Sequence, residues 1–305
     1  MLISSIDQKQ NTVPPAERRL AIVTGANSGI GYEVSRTLAR QGLKVVMACR
    51  DAEKAESARG AILKEVPEAH VGTQQVDLSS LASVQQFAEK FSARYAKLDL
   101  LVNNAGIMMS PYKETADGYE NQFATNYLGH FALTGRLLPL LRAALGARVV
   151  SLSSLSYKWS DLRFDDIHFE RGYDKRKAYG QSKRACLVFA YELDRRLKAH
   201  AADVRSVAAH PGLSKTNLDR YFPKLIRPLG GLFLQPAEKG ARPVLYAALS
   251  DTIEGGEYIG PDGFQEMRGR PTKVDSDEAT KRGDIANRLW GISEKLSGVR
   301  YLSSG

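Results

Sequence analysis

Short runs of apolar residues alternate along this chain with longer segments in which apolar residues recur every three or four positions. The short runs predict buried strands, and the longer segments predict amphipathic helices. The predicted strands span residues 20–24, 44–48, 71–76, 99–102, 148–152 and 204–208. The predicted helices span residues 32–41, 52–66, 80–96, a region within 118–145, and 179–200.

The predicted strands are continuously apolar and do not alternate in polarity. This is typical of parallel strands that helices cover on both faces, joined by right-handed crossovers. We therefore expect an α/β fold with a single-domain, doubly wound parallel sheet of the Rossmann type. Residues 1–17 are polar and include two prolines, so we expect a loose N-terminal leader, with residues 18–305 as the one domain.

Composition and charge narrow the class of protein. The 305 residues are 43% hydrophobic and 25% charged, as in an ordinary globular chain. The net charge of +9 raises nucleic acid, acidic membranes and phosphorylated ligands as partners. The densest basic run, residues 171–177, lies in a predicted loop, which indicates a solvated loop and no nucleic-acid partner.

Cysteines, histidines and long apolar segments give few further signals. Cys49 and Cys186 form no CxxC motif, so we expect both to be reduced and buried. His168, His200 and His210 lack metal-ligand spacing, and we expect no metal. The first twenty residues lack the apolar core of a signal peptide, and no stretch of 18 apolar residues occurs. We therefore expect a cytoplasmic protein without stable membrane insertion.

A glycine-rich stretch, Thr24 to Gly31 (TGANSGIG), joins the first predicted strand to the first predicted helix. Its glycines suit a sharp turn, close approach of a pyrophosphate and tight packing of helix against strand. The N-terminus of the helix offers free N–H groups and the positive end of its dipole. We expect cofactor contacts from this loop at Gly25, Asn27, Ser28, Gly29, Ile30 and Gly31.

The end of the second predicted strand bears on the choice of cofactor. A dinucleotide fold that binds NAD places an acidic residue there, whereas a basic residue suits the 2′-phosphate of NADP. Cys49 occupies the acidic position, and Arg50 follows it. Asp51 is placed to cap the next helix. The sequence therefore favours NADP(H), with Arg50 binding the 2′-phosphate.

Tyr179 and Lys183 lie four residues apart and so share one face of a predicted helix. An ammonium group beside a phenol stabilises the phenolate, so that Tyr179 can exchange a proton with a carbonyl or alcohol oxygen. Ser154 ends the preceding strand and is expected to hydrogen-bond the same oxygen, with Ser153 as the alternative. Asn126 is either a water-holding link in a proton relay or a hydrogen-bonded helix amide.

In this order the motifs resemble those of the short-chain dehydrogenase/reductase family, over about residues 19–258. The resemblance implies a catalytic tetrad of Asn126, Ser154, Tyr179 and Lys183. It also implies that Asp77 contacts adenine and that residues 103–106 (NNAG) line the adenine side. Residues 210–212 (HPG) and Thr216 are implied to touch the nicotinamide end. The further cofactor residues are then Asp77, Leu78, Asn104, Ala105, Gly106, Tyr179, Lys183, Pro211, Gly212 and Thr216.

Within that family, residues 48–51 (ACRD), 126–131 (NYLGHF) and 260–263 (GPDG) resemble the retinol-dehydrogenase-like reductases. Two segments are predicted to shape the substrate pocket: a loop at 155–178 and an apolar segment at 213–235. The apolar content of the second indicates a hydrophobic carbonyl or alcohol, although packing on the core or on a partner subunit explains it equally well. A homo-oligomer is implied by resemblance only.

The sequence thus predicts an NADP-dependent oxidoreductase that transfers hydride between the cofactor and a carbonyl or alcohol substrate. Tyr179 is the expected general acid and base. The alternative is a non-catalytic, cofactor-sensing binding protein on the same fold. The presence of both Tyr179 and Lys183 favours the enzyme.

Overall fold

The computed structural model describes residues 18–214 and 235–302. Within them, the strands form one eight-stranded sheet in the order β3-β2-β1-β4-β5-β6-β7-β8. Strands β1 to β7 are parallel, and β8 pairs antiparallel with β7. The α/β, doubly wound expectation is confirmed. The strands are β1 (Leu20–Thr24), β2 (Lys44–Cys49), β3 (Val71–Gln75), β4 (Leu100–Asn103), β5 (Ala147–Leu152), β6 (Val204–Ala209), β7 (Tyr258–Pro261) and β8 (Pro271–Val274).

Helices lie on both faces of this sheet. In chain order they are α1 (Gly29–Arg40), α2 (Ala52–Glu65), α3 (Leu81–Arg94), α4 (Asn121–Phe123), α5 (Gly129–Arg142), α6 (Lys175–Ala199), α7 (Ala237–Leu249) and α8 (Gly283–Ser297). A five-residue π-helical segment, Ala124–Leu128, joins α4 to α5, so this region is helical from Asn121 to Arg142.

The helix that carries the predicted tyrosine begins earlier than the sequence indicates. Asp174 caps it by accepting hydrogen bonds from the N–H groups of Arg176 and Lys177, so α6 starts at Lys175 and not at Tyr179. The predicted substrate loop at 155–178 is therefore partly helical, because Leu155–Trp159 also forms a 3₁₀ helix. Tyr179 lies in the second turn of α6, where the helix is already established.

Alternate residues of each central strand enter different cores. Ile22 and Leu101 pack into the core shared with α3, α5, α6 and α8. Val23 and Val102 enter the core on the opposite face, beneath α1, α2 and α7. Because both faces are covered, the central strands β1, β2 and β4 are largely apolar and buried, as the sequence pattern predicted.

The C-terminal elements β7, β8, α7 and α8 were not among the predicted ones. Trp290 of α8 packs edge-on against Phe131 of α5, with ring centroids 5.2 Å apart, and stacks on Phe189 of α6 at 6.0 Å. Rings of this size are among the largest contributors of buried apolar area to a core. The end of the chain therefore completes the core over α5 and α6.

Three further expectations concern the cysteines, membrane-spanning helices and the two segments that were predicted to be a leader and part of the substrate pocket. Cys49 and Cys186 are free thiols and both are buried, as predicted. Among residues 18–214 and 235–302, no helix combines the length and apolar character needed to cross a membrane. The predicted leader, residues 1–17, and most of the apolar segment 213–235 lie outside the described residues.

Candidate active site

The predicted site residues that the structure describes follow the carboxyl ends of β1 to β6 or lie on adjoining helices. Between β1 and β4 the strand order reverses direction, and open α/β sheets bind their ligands at such a point. Residues distant in sequence therefore meet at one edge of the sheet. Thr216 alone among the predicted site residues falls outside the described part of the chain.

The loop between β1 and α1 adopts a conformation that requires glycine. Gly25 and Gly29 have φ angles of 64° and 56°, in the left-handed region. A Cβ on Gly31 would lie 2.5 Å from both the Asn104 side-chain nitrogen and the Gly25 carbonyl oxygen. Asn104 in turn donates a 2.7 Å hydrogen bond to the Thr24 carbonyl. The glycine loop and the NNAG segment thus form one closely packed cradle.

The N-terminus of α1 faces this cradle without a side chain to neutralise it. Ser28 is the N-cap residue, but its hydroxyl makes no capping hydrogen bond, and the first turn holds no acidic residue. Uncapped N–H groups at the positive end of a helix dipole bind phosphate well. The residues present therefore fit the pyrophosphate of a dinucleotide.

The three residues at the end of β2, Cys49, Arg50 and Asp51, differ in burial and in hydrogen bonding. Cys49 is buried, and burial raises its thiol pKa to about 11, opposed by hydrogen bonds from the main chain at Ala26 and Asn27. Asp51 caps α2 through the Lys54 N–H at 3.0 Å and also pairs with the Lys54 ammonium, so the predicted capping role is confirmed. Arg50 is exposed, and its guanidinium has no hydrogen-bond or ion-pair partner among the described residues.

The two candidate serines after β5 have different roles in the packing. Ser153 is buried, and its hydroxyl donates a 2.8 Å hydrogen bond to the Lys183 carbonyl, which braces α6 against the sheet. The Ser154 hydroxyl donates to the Ser156 hydroxyl at 3.2 Å, and the Ser154 side chain is close enough to the Tyr179 phenol to lower its pKa. Ser153 thus contacts the main chain of α6, whereas Ser154 lies beside the phenol.

Tyr179 and Lys183 are both buried on the same face of α6. The Lys183 Nζ lies 5.9 Å from the centre of the Tyr179 ring and donates to the Leu152 carbonyl at 3.2 Å. Burial raises the pKa of Tyr179, with Ser154 opposing the rise, and burial lowers the pKa of Lys183. Burial is thus the largest influence on the phenol, and stabilisation of the Tyr179 phenolate by Lys183 stays a prediction.

Asn126 lies in the π-helical segment, and its side chain is fully engaged by protein. Its Oδ1 accepts from the Ile107 N–H at 2.7 Å, while its Nδ2 donates to the Ile107 carbonyl and to the Ser182 hydroxyl, each at 2.9 Å. The sequence left two interpretations of Asn126, a link in a proton relay and a hydrogen-bonded helix amide. These contacts match the hydrogen-bonded amide. They tie the NNAG segment to α6, and a relay role for Asn126 stays a prediction.

His130 is a site-proximal residue that the sequence reasoning missed. Its Nδ1 lies 2.9 Å from the main-chain oxygen of Asn126, and its Nε2 lies 2.9 Å from the Thr24 hydroxyl. A carbonyl only accepts, so Nδ1 carries the proton and Nε2 accepts from Thr24. Burial lowers the pKa of His130 to about 4. Its spacing of four residues from Asn126, on one helical face, was the available signal.

The remaining cofactor candidates lie after β3 and β6. The Asp77 carboxylate accepts from the N–H and hydroxyl of Ser79, at 2.9 and 2.6 Å, and Leu78 follows it beside Gly129. Pro211 and Gly212 form a turn after β6, where Gly212 has a φ of 65°. The structure thus brings both segments to the same edge as the glycine cradle.

One aromatic ring lies close to the predicted tyrosine, and exposed apolar side chains occur in loops at the same end of the sheet. The ring of Trp159, in the 3₁₀ helix, lies 6.1 Å from that of Tyr179. Exposed hydrophobic side chains occur after β4, β6 and β7, at Tyr112, Leu213 and Phe264. Three neighbouring loops therefore present apolar surface at the edge where the site lies.

Sequence comparison supplies the family. The sequence profile described as "short chain dehydrogenase" matches residues 19–224. The chain is a short-chain dehydrogenase. It therefore belongs to a family of oxidoreductases that use NAD(P).

Two curated relatives and one solved structure place this short-chain dehydrogenase further. Human (Homo sapiens) "Retinol dehydrogenase 14" is 38% identical to it, over 92% of this chain and 87% of the relative. Mouse (Mus musculus) "Polyprenol dehydrogenase" is also 38% identical, over 96% and 88%. A crystal structure of a protein from Mycobacterium Paratuberculosis superposes with a TM-score of 0.79 at 38% identity, covering 95% of this chain and 97% of that one. The resemblance to retinol-dehydrogenase-like reductases is confirmed.

Proposed function

We propose that this short-chain dehydrogenase transfers hydride between NADP(H) and an apolar carbonyl or alcohol, with Tyr179 as the general acid and base. The observation that carries the proposal is the position of the buried Tyr179 phenol next to the Ser154 side chain and Lys183. These three groups converge at the edge of the sheet that also holds the glycine cradle. This is the set of groups that carbonyl reduction requires: a proton donor, an oxygen-binding hydroxyl and a cation.

The bound cofactor would supply the hydride, and the protein would handle the proton. The phenol of Tyr179 donates its proton to the substrate oxygen as negative charge develops there. Its raised pKa keeps the phenol protonated at neutral pH, which suits the reductive direction. Ser154 donates a hydrogen bond to the same oxygen, and the ammonium of Lys183 stabilises the phenolate that proton donation leaves.

Three side chains at the end of β2 favour NADP over NAD. The guanidinium of Arg50 has no partner among the residues that the structure describes, and its planar fork matches a phosphate. The nearby carboxylate of Asp51 is engaged by Lys54, and the residue at the acidic position of NAD-binding folds is Cys49. A ribose 2′-phosphate therefore meets a cation here, without a competing carboxylate.

The proposed substrate class is supported by apolar side chains at this end of the sheet and by the relatives. Trp159 flanks the phenol, and the exposed side chains of Tyr112, Leu213 and Phe264 lie in loops that follow strands of the same sheet. The two curated relatives are named for retinol and polyprenol, which are both apolar alcohols. We infer that the substrate is an apolar primary alcohol or the corresponding aldehyde.

The test is oxidation of NADPH and of NADH by the purified protein with aldehydes of increasing chain length, including retinaldehyde. We expect turnover with NADPH, a kcat/KM that rises with apolar chain length, and weak turnover with NADH. Stronger turnover with NADH would contradict the role of Arg50. Tight NADPH binding without turnover of any carbonyl compound would favour the cofactor-sensing alternative.

A further inference from the structure

The loop between β7 and β8, residues 262–270, folds back over the turn that follows β6. Two hydrogen bonds hold it there. His210 Nε2 lies 2.9 Å from a carboxylate oxygen of Glu266, and the N–H of Leu213 donates to the Met267 carbonyl at 2.8 Å. These two bonds lie on either side of Pro211 and Gly212 in the sequence, so the loop is hydrogen-bonded to both ends of that turn.

The hydrogen-bond partners determine the tautomer of His210. The Gly212 N–H donates to Nδ1 at 3.3 Å, so Nδ1 is the acceptor. Nε2 then carries the proton and donates to Glu266. His210 is fully buried, whereas Glu266 is half-buried. The carboxylate of Glu266 therefore lies between the imidazole and the solvent.

The backbone around this contact is shaped to permit it. A Cβ on Gly260 would overlap His210 Nε2, and a Cβ on Gly212 would overlap the Met267 carbonyl. Gln265 and Glu266 have φ angles of 48° and 57°, which residues other than glycine rarely adopt. Strained backbone of this kind persists only where surrounding contacts hold it in place.

We propose that Glu266 is a positioning residue that, through His210, sets the Pro211–Gly212 turn against the nicotinamide end of the bound cofactor. The proposal rests on the proposed function and on the expectation, implied by the family resemblance, that this turn touches the nicotinamide end. Glu266 acts on the turn through its contact with His210. It acts on one end of the cofactor only, because the glycine cradle and Arg50 hold the other end independently.

The test compares binding of NADPH with binding of 2′,5′-ADP, which has the 2′-phosphate but lacks the nicotinamide. Glu266→Ala should weaken NADPH binding about tenfold, the loss of one hydrogen bond to a charged group, and leave 2′,5′-ADP affinity within about twofold. Glu266→Gln keeps an acceptor for the His210 N–H and should restore most of the NADPH affinity. Glu278→Ala, an exposed glutamate in the same C-terminal region, is the matched control and should alter neither affinity.

Thermal unfolding of each variant shows whether it is folded. If Glu266→Ala does not fold, the affinities for the two ligands are compared in Glu266→Gln instead. Unchanged NADPH affinity in Glu266→Ala would overturn the proposal. An equal loss of affinity for NADPH and for 2′,5′-ADP would also overturn the proposal, because it would indicate a general disruption of the site. Failure of the unmodified protein to bind either ligand would refute the proposed function, and the role of Glu266 with it.

Discussion

The imidazole of His130 accepts a 2.9 Å hydrogen bond from the hydroxyl of Thr24, the last residue of β1. The same hydroxyl accepts the N–H groups of Asn104 and Ala105, each at 2.9 Å. His130 also donates to the main-chain oxygen of Asn126. One neutral imidazole thus connects the glycine cradle, the NNAG segment and the π-helical segment.

This burial makes His130 a source of acid sensitivity. Its pKa is about 4 in the folded protein, against about 6.5 for an unperturbed histidine. Between these values the unfolded chain binds a proton that the folded chain does not, so the free energy of unfolding falls as pH falls. The expected contribution is about 3 kcal/mol, lost progressively from about pH 6.5 down to pH 4.

Urea unfolding of the unmodified protein and of His130→Gln across this pH range measures that contribution. The variant is expected to be less stable at pH 7 but to lose less stability on acidification. His200→Gln alters an exposed imidazole and serves as the control, with an expected pH dependence equal to that of the unmodified protein. Identical pH slopes in all three proteins would show that His130 does not contribute.

Two helical glycines give opposite expectations for the same change. A Cβ on Gly31 would clash with Asn104 and Gly25, so Gly31→Ala should lower both stability and NADPH affinity. Gly60, inside α2, has open space around its Cβ position, and Gly60→Ala should stabilise the protein by about 0.5–1 kcal/mol. Chemical denaturation and a cofactor titration of both variants check the pair. NADPH binding by Gly31→Ala at unchanged affinity would contradict the tight cradle.

Arg50 is expected to determine the preference for NADPH. Arg50→Asp removes the phosphate-binding fork and adds a carboxylate that can accept from a ribose 2′-hydroxyl. The ratio of kcat/KM for NADPH to that for NADH should fall by at least about tenfold, equivalent to about 1.4 kcal/mol. Arg94→Asp makes the same charge change on an exposed position at the end of α3, and the ratio should not move. If Arg50→Asp leaves the ratio of kcat/KM for NADPH to that for NADH unchanged, Arg50 does not determine the choice of cofactor.

The local pattern predicted β1 to β6 and the helices between them because most of these elements are apolar runs or periodic segments; β3, VGTQQ, is the weakest of them. It missed β8, a short edge strand that begins with Pro271 and is only partly buried. It also missed α8, although Ile285, Leu289, Ile292 and Leu296 recur at helical spacing. Gly283 and Gly291 lower the helical propensity of that segment, and its packing against Phe131 and Phe189 makes up for this.

Candidate site residues were found where spacing within one element carries the signal, as for Tyr179 and Lys183. The contact of His210 with Glu266 joins residues 56 positions apart, through a loop whose fold depends on the β7–β8 pairing. No local pattern encodes such a contact. The choice between Ser153 and Ser154 likewise needed the direction of each side chain, which only the packed structure supplies.

With Tyr179 as the proton donor, we expect its raised pKa to make reduction insensitive to pH over a wide range. Because burial keeps the phenol protonated well above neutrality, kcat/KM for aldehyde reduction should stay level between about pH 6 and pH 9. Alcohol oxidation needs the phenolate and should instead accelerate as pH rises. Initial rates in both directions across this range test the expectation. A decline of reduction centred near pH 7 would show that a more acidic group donates the proton.

Proton transfer in the proposed reaction depends on the hydroxyl of Tyr179, and Tyr179→Phe removes this group while keeping the ring. The decisive measurement is the rate of NADPH oxidation with retinaldehyde under single-turnover conditions, alongside NADPH affinity. We expect the rate to fall by about 10² to 10⁴ with NADPH affinity preserved. Tyr246→Phe, on α7, should match the unmodified protein in both. Undiminished hydride transfer in Tyr179→Phe would contradict the mechanism.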